Sequence, residues 1–586
     1  MYILGISCFY HDSSAALLKD GKIVAAVQEE RFTRKKHDTS FPLNAINYCL
    51  ESQGIKIEDI DYIGFYEKPF LKFERLLYQH LEMFPRSYKT FLANMPSWFK
   101  EKLRIIKIVK KKLKYKKDIL FVEHHMAHAA GSFLPSPFEE AAVLTVDGVG
   151  EWTTTSYGFA KGNNINLIKE IKFPSSLGLL YSTITAYLGF SVNNSEYKVM
   201  GLAPYGNMNK ETNPYYQKLK EVIDVKEDGS YRLNMDFFIY HYKNKMPSKK
   251  LCKLLGSSIR SPESDLSQRH KDIAAALQII LEEVMTKMLN NLYKKTKCEN
   301  LIIAGGIGLN SVYNGKILKN TKFKNFWCQP DPGDGGTSIG TALYIYNSIL
   351  KKRREYQLND AYLGPKFSRE EIKEFLEENN IVHTEFKDRN ELIKKTSKLI
   401  YQNNVIGWFQ EGMEWGPRAL GARSILSNPC EKNMQEILNL KVKHREKFRP
   451  FAPVVCEDDA EKYFECDNPI PIPTDFMLMV YPIKEQWKEK IPAVTHIDGS
   501  GRLQTIRRNQ NSLYYDLIKE FGKLSKIPIL INTSFNIRGE PIVCTPHDAY
   551  KCMMGTGIDY LIIDNFLIKR EDNPKDFWDS EKYAKD

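Results

Sequence analysis

Three of the chain's 12 histidines, His124, His125 and His128, fall within five residues of EHHMAHAAGSF, directly after the apolar run ILFV. If the segment turns helical there, His124 and His128 stand at i and i+4 on one face, and their imidazoles can share one metal ion. His125 then points elsewhere. The competing reading is a helix start whose histidines bond locally. Far downstream, QPDPGDGGTSIGTAL sets Asp331 and Asp334 in a Pro/Gly-rich loop ahead of a helical pattern, where either carboxylate could complete a site with the two imidazoles. Two imidazoles and one carboxylate leave open positions on Fe2+, Mn2+ or Zn2+. The competing role for Asp334 is a helix N-cap.

Two polar loops offer a different chemistry. CFYHDSSAA follows the strand pattern YILGIS and leads to AALLK, an Asp20-Gly21 turn and KIVAAVQEE. About 140 residues later AAVLTVDG, VGEWTTT, SYGFAKG and NINLIKEIKF repeat that order, which predicts a duplicated subdomain. A cleft between two such copies can hold the phosphates of ATP through backbone N–H groups, short hydroxyls and an Asp near Mg2+. Asp12, Ser13, Ser14, Asp147 and Gly148 are therefore candidate phosphate and metal neighbours, although all are also ordinary turn formers. Lys198 in SEYKVMG is either a nucleotide contact or an ion-pair partner of Glu196. Gly305 and Gly306 follow the strand pattern NLIIA and would let backbone approach a nucleotide, with Asn310 in the predicted helix IGLNSVYNGKIL. His11, in the first loop, is the candidate general base, because imidazole titrates near neutral pH.

These loops need a scaffold. The run HKDIAAALQIILEEVMTKMLNNLYKK keeps Ile273, Leu277, Ile280, Leu281, Val284, Met288 and Leu292 at helical spacing. The charged segment KKRREYQLND marks a boundary, giving domains 1–355 and 356–586. Beyond it a helix (SREEIKEFLEEN) precedes a second α/β region with strands VIGWFQ, IPILINTS and DYLIID. Arg418, Lys443, Arg449 and Arg502 sit there beside Gly or Pro in motif-like segments, and guanidinium forks and ammonium groups bind phosphate oxygens through charge-assisted hydrogen bonds. Asn532 and Ser534 close an apolar strand, a position suited to pointing into a site.

At 586 residues the chain requires at least two cores. Its formal charge of +12 is partly concentrated in KIVKKKLKYKK, which could attract anionic substrates or nucleic acid. The preference for Lys over Arg favours a solvated face instead. Ten scattered cysteines without a C-x-x-C pair predict reduced thiols. With no secretory pattern at the start and no apolar run long enough to span a bilayer, the expectation is a cytoplasmic protein without a membrane partner.

The motifs HDSSAAL, ERFTRKKHD, EHHMAHAAGSF, VDGVGEWTT, SEYKVMGLAPYG, AGGIGLNS and PGDGGTSIGTAL, in this order, resemble those of the O-carbamoyltransferases acting on nodulation factors and on cephem, aminoglycoside and ansamycin antibiotics. EWGPRALGARSIL, VKHREKFRPFAP, DGSGRLQTI and NTSFNIRGEPIV extend the resemblance through the C-terminal half. It implies an α/β protein with a duplicated actin-like ATPase (ASKHA) domain followed by a YrdC-like α/β domain. It implies carbamoyladenylate made from carbamoyl phosphate and ATP, with the carbamoyl group then moved to a hydroxyl of a small-molecule acceptor. By the same analogy His124, His128 and Asp334 match metal ligands, with Fe2+ ahead of Mn2+ or Zn2+, and a homodimer is allowed. The acceptor is not legible: segments 70–118 and 205–265 match no motif. Two rival readings are an actin-like kinase or ATPase, and a tRNA-modification or RNA-binding factor; the second lacks aromatic-interleaved basic segments, so nucleic acid is not the expected partner.

Overall fold

The computed structural model describes residues 1–574 apart from Asn194 and Lys447. Its N-terminal unit, residues 1–26 with 39–357, contains two five-stranded sheets. The first uses β1 (Tyr2–Ser7), β2 (Ser14–Lys19), β3 (Lys22–Gln28), β4 (Tyr62–Phe65) and β5 (Ile119–Phe121) in the order β3-β2-β1-β4-β5. The second uses β6 (Glu140–Val146), β7 (Thr153–Lys161) and β8 (Asn164–Lys172). After a small hairpin of β9 (Ile223–Val225) and β10 (Tyr231–Leu233), it is completed by β11 (Asn300–Ala304) and β12 (Asn325–Trp327), in the order β12-β11-β6-β7-β8. In each sheet a central strand pairs antiparallel with its hairpin partner, Ile3 opposite Leu18 and Leu144 opposite Tyr157. Each also pairs parallel with the strand on its other side, Ile3 with Tyr62 and Val143 with Ile302. The central strands carry near-continuous buried runs because both faces are covered. The repeated strand order is that of a duplicated actin-like fold: the paired hairpins predict the duplication, and the family resemblance implies the actin-like class.

The predicted long helix is present as Gln268–Thr296, with Ile273, Leu277, Ile280, Leu281, Val284, Met288 and Leu292 all buried. The segment IGLNSVYNGKIL, expected as one helix, is broken into a 3-10 turn at Gly306–Leu309 and short helices Ser311–Asn314 and Ile317–Asn320. Asn310 causes the first break by accepting the Tyr313 N–H through its side chain, which restarts the helix one residue on.

Close packing fixes the centre of this unit. The buried Thr337–Leu343 helix lies on β1 and on the His124–Phe133 helix. A Cβ at Gly5 would stand 2.0 Å from the Ser338 carbonyl oxygen, and one at Gly340 would stand 1.9 Å from the Ala127 carbonyl oxygen. Only glycine permits either approach.

The C-terminal unit, residues 358–586 with 27–38, is built on one nine-stranded mixed sheet. Its strands are β13 (Thr384–Glu385), β14 (Ile406–Phe409), β15 (Arg423–Ser427), β16 (Ala452–Cys456), β17 (Met479–Pro482), β18 (Ser500–Ile506), β19 (Ile529–Ser534), β20 (Tyr560–Ile563) and β21 (Phe566–Lys569). They run in the order β13-β21-β20-β14-β15-β19-β16-β18-β17. Helices Arg389–Tyr401 and Ser512–Ser525 cover it over a core that includes Trp408, Ile518, Phe521 and Leu530. Residues 27–38 join this unit through Arg31, which donates to the Gly416 carbonyl at 2.8 Å, and Arg34, which donates to the carbonyls of Ile542 (2.7 Å) and Pro541 (2.8 Å). No disulfide joins any of the ten cysteines. Among the described residues no helix is long and apolar enough to cross a membrane.

Candidate metal centre and anion site

After β5 the chain turns at extended Glu123 into the His124–Phe133 helix, whose Ala and Gly residues let it pack closely on the second sheet and on the Thr337–Leu343 helix. Helical spacing then puts His124 Nε2 3.1 Å from His128 Nε2. The helix that follows β12 brings its preceding loop to the same point, with Asp334 Oδ1 3.4 Å from His128 Nε2 and 3.6 Å from His124 Nε2. Asp147, in the loop after β6, adds Oδ2 at 3.4 Å from His124 Nε2. These four buried side chains each present one ligand atom, all within 4.8 Å of one another.

Neither oxygen of Asp334 has a hydrogen-bond partner among the described residues, although the residue is 1% exposed. A buried carboxylate left that way is costly unless a cation meets it. Two imidazoles and two carboxylates of this arrangement therefore suit a divalent transition metal. The carboxylate that reaches the imidazoles is Asp334's, and its role is not helix capping, since Gly333 stands at the cap position. His125 turns away, with Nδ1 2.6 Å from Thr145 Oγ1. Burial drives its pKa down to about 3.

His11 lies beside this cluster, its Nδ1 2.8 Å from Asp12 Oδ2 and its Nε2 3.7 Å from Asp334 Oδ2. Burial opposes charge on His11 and His124, yet Asp334 and Asp12 raise His11 to about 10, and Asp334 with Asp147 raises His124 to about 9. Burial likewise opposes ionisation of Asp147 and Asp334, and the neighbouring imidazoles override it, holding both below the ordinary carboxylate range. The proton on His11 is thus held by the same charges that a bound cation would neutralise. Residues the sequence did not single out complete the wall. Lys72 Nζ lies 4.9 Å from the Tyr10 ring centre, Arg75 donates to the Gly150 carbonyl at 3.2 Å, and Glu151 accepts the His124 backbone N–H at 3.1 Å. Glu151 falls within the quoted VDGVGEWTT motif, whereas Lys72 and Arg75 carry no motif signal.

The other loop candidates divide. Gly306 donates its N–H to Asp147 Oδ1 at 2.9 Å, next to Gly305 at φ 88°. Ser13 is buried with its hydroxyl unpartnered among the described residues, whereas Ser14 donates to the Gly335 carbonyl at 2.7 Å. The Gly148 carbonyl accepts from Ser176 Oγ at 2.7 Å. Asn310 is engaged in helix capping and with Gln278 at 3.0 Å. Lys198 is buried with its ammonium 5.4 Å from the Phe190 ring centre, and Glu196 accepts from Ser182 Oγ at 2.7 Å.

In the C-terminal unit, antiparallel β19 runs between β15 and β16, and β18 runs parallel to β16. The end of β19 and the starts of β15, β16 and β18 therefore share one edge of the sheet. That edge gathers Ser534, Arg423, Arg449 (just before β16) and Arg502 (in β18), with Asn532 donating to the Ala419 carbonyl, beside Arg418, at 3.2 Å. Asn532 Oδ1 is buried and unpartnered among the described residues. Lys443 acts on the backbone. Its ammonium donates to the Ser534 carbonyl and, at 3.0 and 2.9 Å, to the Asn536 carbonyl and Oδ1, and burial pushes its pKa well below the ordinary lysine value. Arg449 Nη1 stands 3.7 Å from Glu446 Oε2.

Two residues of EWGPRALGARSIL shape this edge without having been singled out. Glu414 Oε1 accepts the backbone N–H groups of Leu420 (2.7 Å), Ala422 (2.7 Å) and Arg423 (3.0 Å). The Arg423 guanidinium lies 3.6 Å from the centre of the Phe409 ring and donates to the Gln410 carbonyl at 2.6 Å.

A duplicated actin-like unit with a buried four-ligand cluster, joined to an α/β unit with a basic strand edge, defines a two-unit enzyme. The chain belongs to the carbamoyltransferase family: residues 2–343 match the carbamoyltransferase N-terminus and residues 397–570 the carbamoyltransferase C-terminus. It is a transferase. It is 47% identical over 610 aligned residues to an uncharacterized protein of Synechocystis sp., covering 98% of this chain and 97% of that one. It is 34% identical to Nodulation protein NolNO of Sinorhizobium fredii, covering 97% of this chain and 80% of the relative, and 27% identical to Nodulation protein U of Rhizobium tropici, covering 97% and 96%. Among solved structures, T. kodakarensis HypF aligns with 13% identity and a TM-score of 0.31, covering 60% of this chain and 48% of that one. That likeness adds nothing to the fold read from the strand order.

Proposed function

We propose that the protein is an ATP-dependent O-carbamoyltransferase whose C-terminal, YrdC-like unit makes carbamoyladenylate and whose N-terminal unit transfers the carbamoyl group to a hydroxyl of a small-molecule acceptor. The observation that carries this reading is the buried His124, His128, Asp147 and Asp334 cluster beside the His11–Asp12 pair.

An alcohol attacks a carbamate poorly unless the leaving group is good. Carbamoyl phosphate, MgATP and the basic edge formed by Arg418, Arg449 and Arg502 supply one. Phosphate departs from carbamoyl phosphate by hydrolysis, the resulting carbamate oxygen attacks the α-phosphorus of ATP, and pyrophosphate leaves. Asn532 and Ser534 orient this exchange, and Lys443 holds the Ser534–Asn536 backbone that carries them.

In the transfer step the acceptor oxygen bonds to the carbamoyl carbon and AMP leaves with the electron pair. With the Asp334 charge offset by a cation in the cluster, His11 would be neutral and would receive the hydroxyl proton at Nε2, because Asp12 holds Nδ1 and so fixes the ring orientation. Asp12, Ser13, Gly148, Lys198, Gly305 and Gly306 surround the nucleotide, with Asn310 positioning its loop. His124, His128 and Asp334, with Asp147 beside them, would hold a divalent ion, Fe2+ first, which offsets negative charge on the departing phosphate when bound.

Incubation with ATP and carbamoyl phosphate, followed by mass spectrometry for carbamoyladenylate, tests the reading. Arg449→Ala is expected to abolish adenylate formation, whereas His128→Ala blocks transfer while leaving adenylate formation largely intact. Equal loss of both steps in both variants contradicts this division of labour. Formation of ADP with phosphorylated acceptor promotes the kinase reading instead.

A further inference from the structure

The chain's excess positive charge is localised. Residues 68–117 hold 15 Lys and Arg against three Asp and Glu, while the whole chain holds 84 and 72, so the remaining residues balance at 69 of each sign. This stretch forms three helices, Pro69–Glu82, Tyr88–Lys100 and Ile105–Leu113, between β4 and β5. Lys72 and Arg75 are buried against the site described above, and most of the other cations are exposed.

The same helices expose large apolar side chains. Phe70 is 72% exposed, Leu81 74%, Phe84 68% and Tyr78 61%, and Leu71, Tyr88, Leu92, Phe99 and Ile106 are exposed as well. On the first helix Phe70, Leu71, Tyr78 and Leu81 fall within about 100° of the circumference. On the second, Tyr88, Leu92 and Phe99 share one stripe. Phe84, in the turn that joins the two helices, places its ring 6.5 Å from the Tyr88 ring at the start of the second stripe. Exposed cations alternate with these side chains: Arg86 between Phe84 and Tyr88, Lys89 after Tyr88, Lys100 after Phe99, and Arg104 and Lys107 flanking Ile106.

We propose that this helical insertion docks the protein on the surface of an anionic phospholipid bilayer. Aromatic and aliphatic side chains interleaved with lysines satisfy both requirements of an interfacial element: apolar groups that enter the headgroup boundary and cations that meet its negative potential. Neither feature alone selects a bilayer. Nucleic acid would use the charge but leave the bare Phe and Leu side chains in water, and a second copy of this chain would bring its own positive charge against them. A small acceptor is too short to cover nine side chains spread over three helices and the turn between the first two. The element lies on the surface and spans nothing, so it is compatible with the absence of a membrane-crossing helix among the described residues. It revises two expectations: that the Lys-rich run is a solvated face without a membrane partner, and that the chain lacks basic segments interleaved with aromatic side chains.

Vesicle flotation with the full chain tests this. The protein is expected to float with phosphatidylcholine vesicles containing phosphatidylglycerol, to stay in solution with pure phosphatidylcholine, and to detach as salt rises. Lys107→Glu, Lys111→Glu and Lys112→Glu together lower partitioning at least about tenfold. Phe70→Ser, Leu81→Ser and Phe84→Ser together abolish it while leaving thermal unfolding unchanged, because these side chains are already exposed. No flotation on anionic vesicles, equal flotation on neutral ones, or a patch whose substitution changes only oligomeric state or RNA binding overturns the proposal.

Discussion

His124 Nε2 and His128 Nε2 point at each other across 3.1 Å, with a carboxylate oxygen of Asp334 3.6 and 3.4 Å from them. The helix that carries both histidines and the turn that carries Asp334 follow the last strand of each sheet, and the loops that carry His11 and Asp147 follow the central strand of each. The cluster is thus assembled from equivalent places in the two copies of the duplicated unit.

If that cluster holds a divalent ion, Asp334→Asn and His128→Ala lose it. Metal analysis of purified variants is expected to show at least about a hundredfold weaker binding, since even outer partners of metal ligands are worth 10–100-fold. Wild-type metal content in both variants removes the metal reading.

Gly340→Ala forces a methyl to 1.9 Å from the Ala127 carbonyl oxygen, where backbone rather than a flexible side chain must yield. Separation of the two helices is expected to cost about 3 kcal/mol in chemical denaturation, and metal content should fall with it because Asp334 and His128 sit on opposite sides of the contact.

Glu414→Ala leaves the backbone N–H groups of Leu420, Ala422 and Arg423 without their acceptor in a buried loop. Unsatisfied buried donors of this kind cost at least about 3 kcal/mol. Adenylate formation should fall together with stability, and Glu414→Gln should recover part of both because its amide oxygen can accept.

Burial raises Asp475 from 3.8 to about 6, with Arg507, Thr505 and Gln510 only partly opposing it. A carboxyl with a raised folded pKa contributes stability below its unfolded value and loses it as pH climbs through the folded one. Stability attributable to Asp475 therefore declines between roughly pH 4 and pH 6, by about 3 kcal/mol. Asp475→Asn is expected to flatten that decline in denaturation curves taken on either side of the window. An unchanged pH profile rejects the assignment.

The hairpin repeat was legible because each copy writes its alternation, its polar loop and its turn within about 30 residues, and strand pairing of that kind is local. The i, i+4 spacing of His124 and His128 was legible for the same reason: one helix carries both. What the sequence could not decide is which distant groups meet them. Asp334 rather than Asp331 reaches the imidazoles because Gly340 lets two helices more than 200 residues apart touch backbone to backbone, while Asp147 joins from the loop after β6 and Lys72 and Arg75 line the wall from the Pro69–Glu82 helix. In the C-terminal unit the anion candidates lie on four segments that only strand order brings to one edge, and Lys443, chosen for its charge, is directed at carbonyl oxygens. Residue type and near-neighbour spacing fixed the possible chemistry. Long-range packing, which depends on shape more than on composition, decided where that chemistry converges, and it left the cations of the 68–117 insertion interleaved with bare apolar side chains.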